Sequence, residues 1–287
     1  MSSVCWQITF SPSANLPAEF DNFLEDFFDV TAQNYSDNGQ DEYVGYKDNL
    51  FDEKAMLSCA QNYGITLPPY QKTLLKSENW LKDFCIKFSP FEIADFCIFG
   101  IHESTPPVTK KIPLQIYAAT AFGSNHQTTQ GCITALSELF HQGFPPSKIL
   151  DIGTGSGILS LCASKLWPDS SIIAGDIDDE AVIVTTSNAQ TNNLSSQIQA
   201  IQSDGYKHSL INQNAPYDLI LSNILANPLI DFAPDLAQNL KSGGYCILSG
   251  FVDNQVEEVI SAHLTAGLQH IKTYSFDNWR ATLMKKA

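Results

Sequence analysis

Lys148 to Glu180 reads KILDIGTGSGILSLCASKLWPDSSIIAGDIDDE. A short apolar run, Lys148–Ile152, contains Asp151, and Gly153, Gly155 and Gly157 follow it within five residues. An apolar segment of helical length, Ile158–Leu166, comes next. A second strand-like run, Ser171–Gly175, then closes on Asp176. The order is strand, glycine turn, helix, strand, acid. Such a unit suits an adenosine-bearing ligand. Glycines let the backbone approach it, and a carboxylate at the end of the second strand can accept hydrogen bonds from ribose hydroxyls. Asp176 has a second reading as a helix N-cap, because D-I-D-D-E opens a helix. Asp178 and Asp179 can do that work and leave Asp176 free for ligand.

The glycine spacing narrows the ligand. A dinucleotide fingerprint is G-x-G-x-x-G/A, with a small sixth residue so that helix and strand pack closely. Here the run is G-T-G-S-G and the sixth position is Ile158. Two residues before the first glycine stands Asp151. A carboxylate there opposes a pyrophosphate but suits the ammonium group of a methionine moiety. D-x-G-x-G-x-G therefore points to S-adenosylmethionine rather than NAD, with Asp151, Gly153, Gly155 and Asp176 as candidate cofactor contacts.

Downstream, apolar runs alternate between the two periods. Further strands are expected at Ile198–Gln202, Tyr217–Ser222 and Tyr245–Ser249, with helices at Glu180–Asn192, Leu229–Leu240 and Val256–Leu268. Lys241-Ser242-Gly243-Gly244 reads as a helix stop. This alternation predicts a parallel sheet covered on both faces. Ile271–Phe276 and Trp279–Met284, joined by Asp277-Asn278, predict a terminal hairpin. An antiparallel strand added beside a parallel sheet is typical of class I methyltransferases and not of nicotinamide dehydrogenases.

Upstream the texture changes. Val4–Phe10 alternates like a strand. Pro17–Phe28 reads as an amphipathic helix with Phe20, Phe23, Leu24, Phe27 and Phe28 on one side. After an acidic turn region, Tyr35–Glu42, a strand is expected at Tyr43–Tyr46 and a helix at Asp52–Tyr63, with Asp52 as its cap. This is the pattern of a small α+β sandwich. The organisation expected is a first domain at 1–76, a connecting region at 77–118 and a cofactor-binding domain at 119–287. Within the connecting region, Trp80–Phe88 suits a helix, and Phe96–Ile101 and Ile112–Tyr117 suit strands.

A chain of 287 residues with a formal net charge of -15 can bury a full core in two domains. That charge opposes nucleic-acid binding and suits a basic partner, or serves solubility alone. No apolar run spans a bilayer, and MSSVCWQITFSPS lacks the features of a signal peptide. The seven cysteines lie singly among apolar neighbours, as buried thiols of a cytoplasmic protein do. The six histidines show no metal-ligand spacing, so no metal is expected. A monomer without membrane association is expected.

Two other stretches carry chemistry. In YDLILSNILANP, Tyr217–Pro228, a strand ends at Ser222 and Asn223 follows. Strand carboxyl ends line the ligand crevice of a doubly wound sheet, so Asn223 is a candidate catalytic residue that orients an acceptor amine. A turn or cap role is its other reading. In AFGSNHQTTQGC, Ala121–Cys132, small and polar residues lead into a helix at Ile133–Phe140. Thr128 or Thr129 caps that helix, or the loop folds over the cofactor. His126 reads as a base or as a solvated loop residue.

DIGTGSGIL, the acidic DID at 176–178, SNILANPL and LKSGGYCILSG resemble, in order, the signature segments of the PrmA family, the methyltransferases of ribosomal protein L11. AFGSNHQTTQGC resembles that family's A-F-G-T-G-x-H-x-T-T segment, and DNWRATLMKK resembles its C-terminal end. The likeness is specific from about Ala121 onward and reaches back to Trp80. It implies a class I methyltransferase sheet with a C-terminal antiparallel hairpin, preceded by a ferredoxin-like domain that docks the ribosomal protein. It also implies S-adenosylmethionine as cofactor and lysine ε-amines, in some members the α-amine, as acceptors. Cofactor contacts carry over to Thr129, Gly153, Asp176 and Asn223, and Phe122 and Gly123 belong to the matching loop. Ser124-Asn125-His126 is a residue shorter than the family's T-G-x-H, so this loop is expected to close differently.

Rival readings are a glutamine or small-amine methyltransferase and a cofactor-binding interaction factor without catalysis. Glutamine-modifying relatives carry N-P-P-Y where this chain has Asn223-Ile224-Leu225-Ala226. The shortened loop is what leaves room for an inactive factor.

Overall fold

The computed structural model describes residues 4–11, 16–17, 19–28, 30–35, 41–47, 51–76, 89–103, 105–117 and 127–287. The chain divides into two compact units, Met1–Phe84 and Cys85–Ala287.

The first unit runs β1 (Val4–Phe10), α1 (Glu19–Phe27), β2 (Val30–Tyr35), β3 (Asp41–Lys47), α2 (Glu53–Asn62) and β4 (Tyr70–Lys76). Its sheet has the order β2-β3-β1-β4, antiparallel throughout. This is the ferredoxin-like β-α-β-β-α-β arrangement. Phe10 is buried at its centre and meets Phe20, Phe23 and Phe28 edge-on. Asp52 caps α2, its carboxylate accepting from the Lys54 N–H at 2.9 Å. Sequence reading leaves β4 unassigned because this edge strand shows no inward alternation: Gln71, Lys72, Thr73 and Leu74 are all exposed. The helix expected at Trp80–Phe88 lies outside the described residues.

The second unit opens with β5 (Phe91–Ile93), β6 (Phe96–Gly100) and β7 (Ile112–Ile116), which form a small three-stranded sheet. Then follow α3 (Gln127–His141), β8 (Lys148–Ile152), α4 (Ile158–Leu166), β9 (Ser171–Asp176), α5 (Asp179–Thr191), β10 (Ile198–Gln202), α6 (Ser209–Asn214) and β11 (Tyr217–Asn223). The chain continues through α7 (Ala226–Asp231), α8 (Ala233–Asn239), β12 (Leu240–Val252), α9 (Val256–Thr265), β13 (Leu268–Phe276) and β14 (Trp279–Lys286). The seven-stranded sheet has the order β10-β9-β8-β11-β12-β14-β13. β10 to β12 pair in parallel, and β14 runs antiparallel to both β12 and β13. It is the class I methyltransferase sheet with its added hairpin. Phe276 pairs with Trp279 across the expected two-residue turn, where Asp277 adopts φ 51.

Successive strand residues face opposite layers. Ile149, Leu219, Leu221, Ile247 and Leu283 join the layer containing α3 and α4, whereas Leu150, Ile220, Leu248 and Met284 join that containing α6 to α9. Each fully buried Leu or Ile stabilises the fold by about 1.5–3 kcal/mol. No helix among the described residues is long and apolar enough to cross a membrane.

Three expectations need correction. The helix foreseen at Leu229–Leu240 is two short helices joined at Phe232. Pro234 lacks an N–H, and its ring opposes the carbonyl four residues back, so one helix cannot run through. The foreseen stop at Lys241–Gly244 lies within β12, after α8 has ended at Asn239. The third helix starts at Gln127, not Ile133, so Thr128 and Thr129 lie in its first turn, both buried, rather than at its cap.

Candidate active site at the carboxyl ends of the parallel strands

β8 ends one residue after Asp151, which is 1% exposed. Its Oδ2 accepts from Ser160 Oγ at 2.6 Å and Thr154 Oγ1 at 2.9 Å. Its Oδ1 is buried without a partner among the described residues. Burial pushes the Asp151 carboxyl up to about 6, against the pull of the Ser160 and Thr154 hydroxyls and with the push of nearby Asp176. A buried carboxylate with one orphaned oxygen is a natural seat for a cationic group.

Gly153, Gly155 and Gly157 have φ of 73, 56 and 79, all left-handed. A Cβ on Gly157 would come within 2.9 Å of Thr185 Cγ2, whereas Gly155 faces open space. The turn is tied to β9 from both sides. Gly153 and Thr154 donate their N–H groups to the Gly175 carbonyl at 2.8 and 3.1 Å, and Gly155 donates to Asp176 Oδ2 at 2.9 Å. Asp176 Oδ1 accepts from the Asp178 N–H at 3.1 Å. Asp178 is the N-cap of α5, bonded to the Glu180 N–H at 3.0 Å. Asp176 thus stands at the strand end, half-buried, bridging two turns while Asp178 does the capping.

Asn223 is the last residue of β11, and its Nδ2 donates to Thr129 Oγ1 at 3.2 Å. Residues 94 positions apart are thus joined at the mouth of the sheet. Asp151, Gly153, Gly155, Asp176, Asn223 and Thr129 all belong to the carboxyl-end region of β8, β9 and β11, at the crevice where a doubly wound sheet holds its ligand. Phe122, Gly123 and His126 lie outside the described residues. A cavity of about 350 Å³, lined by Lys148, Ser171, Gln197 and Tyr217 among others, opens at the amino ends of the strands and is not this site.

Four residues not singled out from sequence contribute. Thr154 and Ser160 hold Asp151, and the signal for them is a hydroxyl inside the glycine run and another three residues after it. Ile177, directly after Asp176, is 68% exposed on this rim. Ile224, directly after Asn223, packs against both the glycine turn and Gly250.

Residues 22–287 match the family described as ribosomal protein L11 methyltransferase (PrmA). The ribosomal protein L11 methyltransferase of Brucella suis is 36% identical over 208 residues, covering 72% of this chain and 72% of that protein. That of Mesorhizobium japonicum is 32% identical over 212 residues, covering 74% of this chain and 72% of that protein. The crystal structure of a ribosomal protein L11 methylase from Lactobacillus delbrueckii subsp. bulgaricus superposes with a TM-score of 0.62 at 27% identity. It covers 70% of this chain and all of that one. The chain belongs to the ribosomal protein L11 methyltransferase family.

Proposed function

We propose that this chain is an S-adenosylmethionine-dependent N-methyltransferase that modifies lysine ε-amino groups of ribosomal protein L11. Family membership supports the substrate. The observation that carries the chemistry is the Asn223–Thr129 contact at the end of β11. When bound, the cofactor supplies an electrophilic methyl group on a sulfonium centre. The residues present fit it. Asp151 offers an orphaned, buried oxygen to an ammonium group. The open face at Gly155 admits close backbone approach. Asp176 stands where ribose hydroxyls can donate to it.

Asn223 commits its Nδ2 to Thr129, which leaves Oδ1 as the acceptor for an amine N–H. The amine arrives uncharged, with its lone pair aimed along the line of displacement. Methyl transfer needs this alignment more than it needs acid–base help. Residues 1–76 are assigned to docking the protein substrate, since the catalytic constellation lies wholly beyond them.

The test is transfer of labelled methyl groups to purified ribosomal protein L11. Asn223→Ala is expected to slow single-turnover transfer by about a hundredfold, the cost of misplaced reactants, with a smaller effect on cofactor affinity. A normal single-turnover rate in the variant overturns the assigned role. Mass spectrometry of the product identifies lysine or the N-terminus as acceptor.

A further inference from the structure

Asn223 ends β11 opposite Ser249 of β12. The residues that follow them, Ile224 and Gly250, are in close contact. Gly250 has φ 99, and a Cβ there would overlap the Ile224 carbonyl and lie 2.6 Å from Ile224 C and 3.0 Å from Ile224 N. The Ile224 peptide therefore rests directly on the Gly250 backbone. On its other side, a Cβ on Gly153 would overlap the Ile224 Cγ2 methyl. Gly153 has φ 73 and opens the turn after β8. Two glycines, one in the turn after β8 and one on β12, both at positive φ, thus leave room for one side chain and its peptide. Ile224 itself is only half-buried, and the following Leu225 is 72% exposed. Core filling alone would not call for glycines on both sides of a half-buried residue.

We propose that Ile224 is a positioning residue that fixes the spacing between the two halves of the site. Its Cγ2 methyl seats on Gly153, its peptide seats on Gly250, and Asn223 is thereby held at one depth relative to the glycine turn. This rests on the methyl-transfer reading, because the spacing it sets is that between methyl donor and acceptor amine. The seat depends on a β-branch, not on volume. Valine retains a methyl at the Cγ2 position, whereas leucine keeps the carbon count of isoleucine and lacks the branch.

The experiment compares Ile224→Val with Ile224→Leu by two readouts. The first is steady-state kinetics on ribosomal protein L11. Ile224→Leu is expected to lower kcat about tenfold or more while both KM values stay within about threefold, the pattern of an interaction made in the transition state. Ile224→Val is expected to retain most of the wild-type rate. The second readout needs no turnover. The side-chain amide resonances of Asn223 in the free protein, assigned by their loss in Asn223→Ala, are expected to shift in the leucine variant and stay in place in the valine variant.

A second pair isolates the other seat. Gly250→Ala and Gly243→Ala both put a Cβ on β12 at positive φ, 99 and 79, but Gly243 has no heavy atom within 4 Å of that Cβ. Only Gly250→Ala is expected to move the Asn223 resonances. Should Gly250→Ala fail to fold, the Ile224 pair still decides. A leucine variant matching wild type in both readouts, or a valine variant as impaired as the leucine one, overturns the proposal. Wild-type protein that transfers no methyl to ribosomal protein L11 overturns the methyl-transfer reading, and the resonance comparison then still decides whether the seat exists.

Discussion

Asp151 has no counter-ion among the described residues, and its carboxyl is held up at about 6 by burial. A folded-state value raised above the ordinary 3.8 means that the native state binds the proton more tightly than the unfolded chain. Stability from this group is therefore full below about pH 4 and is lost as pH rises through 6, by about 3 kcal/mol for a rise of that size. Asp151→Asn removes the titration. Urea unfolding of free wild type and variant is expected to show the variant gaining on wild type by about that amount between pH 4 and 7. A difference that stays flat with pH would exclude an uncompensated buried carboxyl. A bound ammonium group favours the ionised form, so cofactor affinity is expected to rise across the same window. Asp151, the three glycines and Asp176 were legible in sequence because their constraints are local: a strand end, a turn, a cap taken by a neighbour. The partnership of Asn223 with Thr129 and the seat of Ile224 on Gly250 were not. Each joins residues whose approach is decided by strand order, which spacing alone does not state.

Among the elements, α5 does more than cover the sheet. Asn188 is fully buried. It accepts from the Tyr117 N–H at 2.7 Å and donates to the carbonyls of Tyr117 and Ser156 at 3.1 and 2.8 Å. One turn later Asn192 repeats the pattern on Gln115, accepting from its N–H at 3.1 Å and donating to its carbonyl at 2.6 Å. Two asparagines thus present the chain at β7 with the alternating donors and acceptors of a neighbouring strand. The same Asn188 braces the glycine turn through Ser156. Asn188→Ala removes three hydrogen bonds to backbone groups, at about 0.5–1.5 kcal/mol each, so a loss of roughly 1.5 kcal/mol or more is expected. Denaturant midpoints at unchanged slope check it; a loss below about 1 kcal/mol would mean that water takes over these bonds. The signal lay in S-N-A-Q-T-N-N, since asparagine inside a helix asks for a bonding partner. What sequence could not say was that the partner is a strand more than seventy residues earlier.

At the level of the whole molecule, the candidate active site lies in the second compact unit, and docking is proposed for the first. A chain beginning at Ser77 is expected to bind S-adenosylmethionine with affinity within about threefold of the full chain, yet to lose most methylation of ribosomal protein L11. Calorimetry and labelled-methyl transfer measure the two, and full activity without residues 1–76 would remove the docking role. One feature of the large sheet bears on how the protein is made. β14 follows both β12 and β13 in sequence but lies between them in the sheet, paired on one side with β12 and on the other with β13. During synthesis β13 leaves the ribosome first, and its place at the sheet edge requires a neighbour still to come. β12 likewise waits with an open edge. Domains of a growing chain generally fold as units in order of emergence. The first unit can close while translation continues, whereas the second unit closes its large sheet only once residues 279–286 are free. The large sheet is therefore completed by a strand that emerges after both of the neighbours it joins.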